Sequence, residues 1–230
     1  MEVPLTGGRI TTGVVLVGDE VRRPCGDNSD FVHAVLRALE DTGVVAPRYL
    51  GVDDRRRERL TYLAGWVAPD LAHGGWTDDQ LAAAAELTRR FHDALAGSPL
   101  AGHHETVCHN DLGPCNTVHV DGRPVAFIDW DGAAPGPRVL DLGHAIWRWA
   151  VISDVGELPL DEQVRRARLM CDAYGDAVAR TEVAGAIAAS QQRVISAAAR
   201  RGDRGSVEWH SGERDWFERH RRAFERGLSR

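Results

Sequence analysis

His109-Asn110-Asp111-Leu112-Gly113-Pro114-Cys115-Asn116, followed after a reversal of the chain by Ile128-Asp129-Trp130-Asp131, is the stretch on which the reading turns. Phosphoryl-transfer centres of the kinase type use an Asp that accepts the proton of the attacking hydroxyl. An Asn five residues later holds Mg²⁺, and a second Asp beyond a short hairpin holds Mg²⁺ on the triphosphate. In that register Asp111 is the base, and Asn116 and Asp129 are the metal ligands.

The residues between them supply a geometric check. Thr117 to Val120 and Val125 to Ile128 are β-type runs on either side of Asp121-Gly122, a strong turn dipeptide. A turn there sets Asn116 opposite residues 127 to 129, so Asn116 and Asp129 emerge at the open end, where oxygen ligands can share one Mg²⁺. Asn and Asp also cap ordinary loops. That reading is disfavoured because a His, an Asp, an Asn and a further Asp all fall in register together.

The segment resembles the aminoglycoside phosphotransferase family, small-molecule kinases whose signature runs His-x-Asp-x-x-x-x-Asn and then Ile-Asp-Trp-(Asp/Glu)-x-Ala. The likeness continues through Gly136-Pro137-Arg138-Val139-Leu140-Asp141-Leu142, with Gly143 where the family has Ala, and upstream through Leu87 to His92. It covers roughly residues 5 to 150. The resemblance implies an α+β, protein-kinase-like fold of two lobes: residues 1–64 as a small antiparallel-sheet N-lobe with one helix, and residues 65–230 as a larger helical C-lobe. It also implies that His109 and Asp141 brace the catalytic loop as structural support, and that Mg²⁺ and a nucleotide, ATP or else GTP, are bound.

All 28 basic residues of this 230-residue chain are arginine. Kinases of this fold set a strand lysine on the phosphates and pair it with a glutamate of the next helix. The corresponding strand here reads Glu20-Val21-Arg22-Arg23-Pro24. Lining up the proline after the basic pair favours Arg22, the preferred candidate; strand alternation favours Arg23, which shares a face with Val21. Both remain candidates for holding the nucleotide, since a guanidinium clamps phosphate bidentately and keeps its charge. The helix glutamate is expected near Val32 or His33, and neither residue can form that ion pair.

Around these residues the chain reads as strands from Val14 to Val17, Val21 to Arg23, Tyr49 to Val52 and Arg59 to Leu63, with a turn over Asp53 to Arg57. Gly7 to Gly13 reads as a phosphate-covering loop in which Thr11 and Thr12 are candidate nucleotide contacts, or else as an ordinary strand turn, where glycine and threonine are common. Leu63-Ala64-Gly65 resembles the family's hinge, which sets the backbone of Leu63 and Ala64 against the base; it reads equally as a plain linker. A helix with Val32, Val35, Leu36 and Leu39 on one face precedes Gly43. Thr77-Asp78-Asp79-Gln80 is a capping box for a second helix with its stripe at Leu81, Ala84, Leu87, Phe91 and Leu95. Further helical patterns span about 139–150, 160–174, 183–200 and 213–227. His92 reads as a packed histidine.

Composition excludes several functions. The net charge is -6, and arginines outnumber acids only after Arg200, where Asp215 with Arg219 and Glu218 with Arg222 are spaced as intrahelical ion pairs, so nucleic acid is not the expected partner. Trp209, Trp216, Phe217 and Phe224 are expected to pack that last helix. No apolar run nears the roughly 18 residues of a membrane span and no signal peptide opens the chain, which reads as cytoplasmic. Cys25, Cys108, Cys115 and Cys171 have no metal-site spacing. Asp131, Asp154 and Glu157, with Asp161 and Glu162, are the carboxylates available to a cationic acceptor. The chain thus reads as a Mg²⁺-dependent kinase of a hydroxylated small molecule. The alternative is a catalytically impaired pseudokinase or nucleotide-binding module, lacking the lysine and its glutamate. A protein kinase is disfavoured because no activation segment separates Asp129 from the next helix.

Overall fold

The computed structural model describes residues 1–5, 12–69, 75–150, 153 and 158–229. A five-stranded antiparallel sheet, order β1-β2-β3-β5-β4, is built from β1 (Glu2–Pro4), β2 (Val15–Val17), β3 (Glu20–Pro24), β4 (Tyr49–Val52) and β5 (Arg57–Thr61). Helix α1 (Ser29–Leu39) connects β3 to β4 and buries Val32, Val35, Leu36 and Leu39. β5 begins two residues earlier than its composition suggests. Asp53 Oδ1 accepts the N–H groups of Arg55 and Arg57, closing the turn so tightly that Arg57 already pairs with Pro24.

The chain leaves the sheet through residues 62–65 and enters β6 (Trp66–Val67). A Cβ on Gly65 would lie 2.5 Å from Val118 Cγ1 and 2.6 Å from the His119 carbonyl, so only glycine lets this linker lie against β8 (Thr117–Val120). Helix α2 (Asp78–Leu95) starts at the expected capping box, with Thr77 and Gln80 bonding each other's backbone, and its stripe Leu81, Ala84, Leu87, Phe91 and Leu95 is fully buried. Truncating a residue such as Phe91 to Ala removes contacts worth about 3–5 kcal/mol.

The helical region continues with α3 (Arg138–Trp149), α4 (Leu160–Tyr174), α5 (Arg180–Arg200) and α6 (Arg204–Leu228). α6 starts nine residues before the pattern at 213, where Asp203 caps it by accepting the Ser206 N–H. Its ion pairs differ from those expected: Arg221 takes both Glu218 and Glu225. Trp216, Phe217 and Phe224 are buried as expected, whereas Trp209 is 39 % exposed.

Gly143 explains one departure from the family pattern. A Cβ there would meet the Ala186 carbonyl carbon at 2.7 Å and the Ile187 nitrogen at 2.9 Å, so glycine lets α5 close on α3. That approach brings α5 side chains to the catalytic loop.

Candidate active site

The catalytic loop hangs from one carboxylate. β7 (Thr106–Cys108), paired with β10 (Ala134–Gly136), delivers the chain to His109. Fully buried Asp141 accepts from the backbone N–H of His109 (2.7 Å) and of Asn110 (2.8 Å), and lies 3.1 Å from His92 Nε2. His92 Nδ1 in turn meets the Tyr174 hydroxyl at 2.7 Å. Burial opposes a charge on Asp141, but the His92 bond and these backbone donors outweigh it and hold its carboxyl below the usual range. His92, Cys108 and Asp141 cluster closely enough to suggest a metal centre, yet the carboxylate already serves these three donors. Asn110 sits at φ 69°, an uncommon conformation for a non-glycine residue, held by Arg193 of α5, whose Nη1 and Nη2 reach its side-chain and backbone oxygens.

Two residues on, Asp111 is held from both sides. Its Oδ2 accepts from Asn116 Nδ2 at 2.8 Å, and its Oδ1 lies 3.4 Å from His144 Nε2. His144 is buried and meets Ser190 Oγ through Nδ1 at 3.0 Å. Partial withdrawal from water would raise the carboxyl of Asp111, although its side chain keeps an exposed edge; the close approach of His144 and the charges of His144, His109 and Arg148 hold it well below the usual carboxylate range. Asp111 therefore stands ionised and able to accept a proton. Because Asn116 points its amide nitrogen at Asp111, its Oδ1 remains without a hydrogen bond among the described residues.

The hairpin forms as the turn dipeptide dictates. Asp121 and Gly122 both take positive φ, and only these two residues separate β8 from β9 (Arg123–Phe127), which therefore starts at Arg123 and not at Val125. Thr117 lies opposite Phe127, and the Ile128 N–H donates to the Asn116 carbonyl at 2.9 Å. Asn116 and Asp129 thus leave the hairpin at the same end. Asp129 is left-handed (φ 62°, ψ 63°) and partly exposed, while the next side chain, Trp130, is buried against His109 and Phe91. An anchored Trp between two outward carboxylates orients Asp129 and Asp131 toward the sheet.

What they meet there is Arg23. Its Nη1 lies 3.1 Å from Asp129 Oδ1, and its Nη2 makes a short contact with Asp131 Oδ1. Its Nε donates to Glu58 Oε1 at 2.7 Å. Glu58 is the cross-strand partner of Arg23 in the β3–β5 register and is only 1 % exposed. Its second oxygen lies 2.5 Å from Nε2 of His33, on α1, whose ring stacks on Tyr49. Burial penalises the Arg23 charge, but Asp131, Glu58 and Asp129 together keep it firmly protonated.

Arg22 is placed differently from the expectation that preferred it. It lies on the opposite face of the sheet, bonded to Glu20 at 3.1 Å beside Arg59, because successive strand residues point to opposite faces. Asp131, read as an acceptor-side carboxylate, likewise lies on Arg23 beside Asp129.

A model of the family described as "Phosphotransferase enzyme family" matches residues 18–181 of the chain. The chain belongs to the phosphotransferase enzyme family. A curated relative, the trifolitoxin immunity protein of Rhizobium leguminosarum bv. trifolii, is 29 % identical over 265 aligned positions covering 99 % of each chain. Among solved structures, the GDP and kanamycin complex of an APH(2")-III phosphotransferase superposes with TM-score 0.64 at 14 % identity, covering 97 % of this chain and 93 % of that one. A choline/ethanolamine kinase family protein from Mesorhizobium loti superposes with TM-score 0.61 at 17 % identity, over 97 % and 90 %. These likenesses establish the protein-kinase-like fold, and family membership makes the protein a small-molecule kinase.

Other expected residues of this phosphotransferase are distributed as follows. In the linker, Leu63 is half-buried and Ala64 exposed; Thr12 is exposed just before β2. Thr11, most of the Gly7 to Gly13 loop, Asp154 and Glu157 lie outside the described residues. Asp161 is exposed, and Glu162 is taken by Arg165 and Arg166.

Sequence reasoning missed Glu58, His144 and Arg193. Glu58 was detectable: it occupies the inward register of a strand, alternating with buried Leu60 where an apolar residue is expected. His144, one helical turn past Asp141, could be placed on the loop-facing side of its helix by spacing, but Arg193 depends on the α3–α5 contact.

Proposed function

We propose that this phosphotransferase moves the terminal phosphate of a Mg²⁺-bound nucleoside triphosphate, ATP or GTP, to a hydroxyl of a small molecule. The acceptor would be an aminoglycoside-like antibiotic or a metabolite. The observation that carries the reading is the convergence of an ionised Asp111 on Asn116 with Asp129 at the same end of the hairpin. Asn116 and Asp129 would hold the metal, since a free amide oxygen and a partly exposed carboxylate are the hard oxygen donors Mg²⁺ requires. The metal supplies charge neutralisation along the phosphates.

In this reading Arg23 serves the phosphates in place of lysine, with Glu58 as the partner that the helix does not provide and His33 tying that pair to α1. The nucleotide would lie at the junction of an N-lobe of residues 1–64 and a C-lobe of residues 65–230, under the Gly7 to Gly13 loop with Thr11 and Thr12, its base against Leu63 and Ala64. His109 and Asp141 would act as supports. Asp131 would take part on the nucleotide side, whereas Asp154 and Glu157 would face the acceptor. The non-catalytic alternative rested on a missing cation and a missing glutamate, and Arg23 with Glu58 weighs against it.

Titration calorimetry with ATP and GTP, with and without Mg²⁺, is the direct test, followed by a phosphate-transfer screen over hydroxylated acceptors. Mg²⁺-dependent binding that disappears in Asp129→Ala supports the reading. Binding indifferent to Mg²⁺ and to that substitution would refute it.

A further inference from the structure

Arg148 lies in the last turn of α3, one turn beyond His144, and turns toward the catalytic loop. Its Nε is 3.8 Å from where a Cβ on Gly113 would be, two residues past Asp111. The guanidinium is half-buried and stands over the Trp147 ring at 5.2 Å. Among the described residues it has no hydrogen bond or ion pair.

The other arginines around the site are occupied. Arg23 serves Glu58, Asp129 and Asp131; Arg22 serves Glu20; Arg193 holds Asn110; Arg138 holds Asp93 at 2.6 Å. The helix dipole favours a cation in a last turn, which accounts for an arginine at that end of α3. It does not account for a guanidinium directed at a glycine of the catalytic loop, near enough for its charge to act on Asp111 yet making no ion pair among the described residues. A cation partly withdrawn from water regains that cost when an anion arrives.

We propose that Arg148 is a catalytic residue that binds the phosphoryl group while it passes from nucleotide to acceptor. The inference rests on the Mg²⁺-nucleotide reading above. In the transfer, the acceptor O–H bond breaks and its proton goes to Asp111. The acceptor oxygen bonds to phosphorus, and the bond from phosphorus to the bridging oxygen breaks, its electron pair leaving on the nucleoside diphosphate. Negative charge spreads over the three equatorial oxygens during this step, and charge in that position is what an arginine stabilises most. The group in flight must lie next to the hydroxyl that Asp111 deprotonates. Asn116 and Asp129 flank it from the hairpin and Arg23 from the sheet, so Arg148 is the cation on the remaining side.

The test uses ADP, Mg²⁺ and aluminium fluoride, a mimic of the phosphoryl group in transfer. Affinity for Mg·ADP is measured with and without the fluoride in the wild type, Arg148→Gln, Arg148→Ala and Arg148→Lys. The wild type should bind tighter with the fluoride. Gln and Ala should lose about tenfold or more of that gain, a conservative figure beside the effect of an arginine in phosphoryl transfer, with Mg·ADP affinity within about twofold of wild type. Lys should restore part of it. Arg148→Gln keeps the methylene stem and ends in a neutral planar amide, so it reads the charge even if Arg148→Ala folds poorly. Variants that keep the full fluoride gain overturn the proposal, as does a wild type that binds Mg·ADP with no gain. The same series is run with Mg·GDP, and a wild type that binds neither Mg·ADP nor Mg·GDP brings down the nucleotide reading itself.

Discussion

The helical half of this site and the sheet half are built on different principles. In the helical half, the catalytic loop, the hairpin and Asp141 follow the family motif residue by residue, with the loop N–H groups and the Asp111 carboxylate held by neighbours at fixed spacing. In the sheet half, lysine and helix glutamate are absent, and the ion pair present is Arg23 with Glu58 of the adjacent strand. A loop that hangs on backbone N–H groups tolerates little change, because a shifted residue leaves buried donors unpaired. A buried ion pair needs only a partner in reach, and a cross-strand neighbour supplies one as well as a helix does. His33 keeps α1 in the arrangement by bonding Glu58.

The sharpest way to break this contrast is in the helical half. Asp111→Asn should lower turnover by roughly 10²–10⁴ with nucleotide affinity nearly intact, the usual span for loss of a general base. Unchanged turnover in an acceptor assay would remove Asp111 from the mechanism. Asp129→Ala should abolish Mg²⁺-dependent binding in calorimetry, and Asn116→Ala should weaken it less.

The sheet half predicts an asymmetry between neighbours. Arg23→Ala should weaken triphosphate binding by about 1.5–3 kcal/mol, the size of a charge-assisted hydrogen bond, whereas Arg22→Ala, on the outer face, should be near neutral. Equal effects would mean that the sheet face does not select the cation. Glu58→Gln should lower thermal stability by about 1–3 kcal/mol, because it strips a charge from a buried partner. A comparable loss in Arg22→Ala would contradict the division between faces.

A smaller and more diffuse effect is expected from pH. His109, His144 and His119 all sit below the ordinary imidazole value because burial penalises the charged ring. The unfolded chain takes up these protons near pH 6.5 and the folded chain only below that. Their contribution to stability is therefore complete above about pH 6.5 and is lost as pH falls through the window beneath it. Melting temperatures from pH 7.5 down to 5 should decline, and less steeply in His119→Asn, which lies away from the base. A flat profile would show that these rings are protonated equally in both states.

The sequence alone determined the catalytic loop, the hairpin and the helices with strong apolar stripes, because each is a matter of local spacing: five residues from Asp111 to Asn116, an Asp-Gly turn, apolar positions at helical period from Leu81 to Leu95. The choice between Arg22 and Arg23 was present in the alternation of the strand, yet alternation does not say which face is turned to the cleft. Only the tertiary structure decided that, through the β3–β5 register that sets Arg23 against Glu58 and the approach of Asp129 and Asp131 from over a hundred residues away. His144, Arg148 and Arg193 reach the loop around Asp111 through α3 and through its contact with α5 at Gly143. Local motifs are written in neighbouring residues; the electrostatic partners of a buried charge are set by whichever elements pack around it.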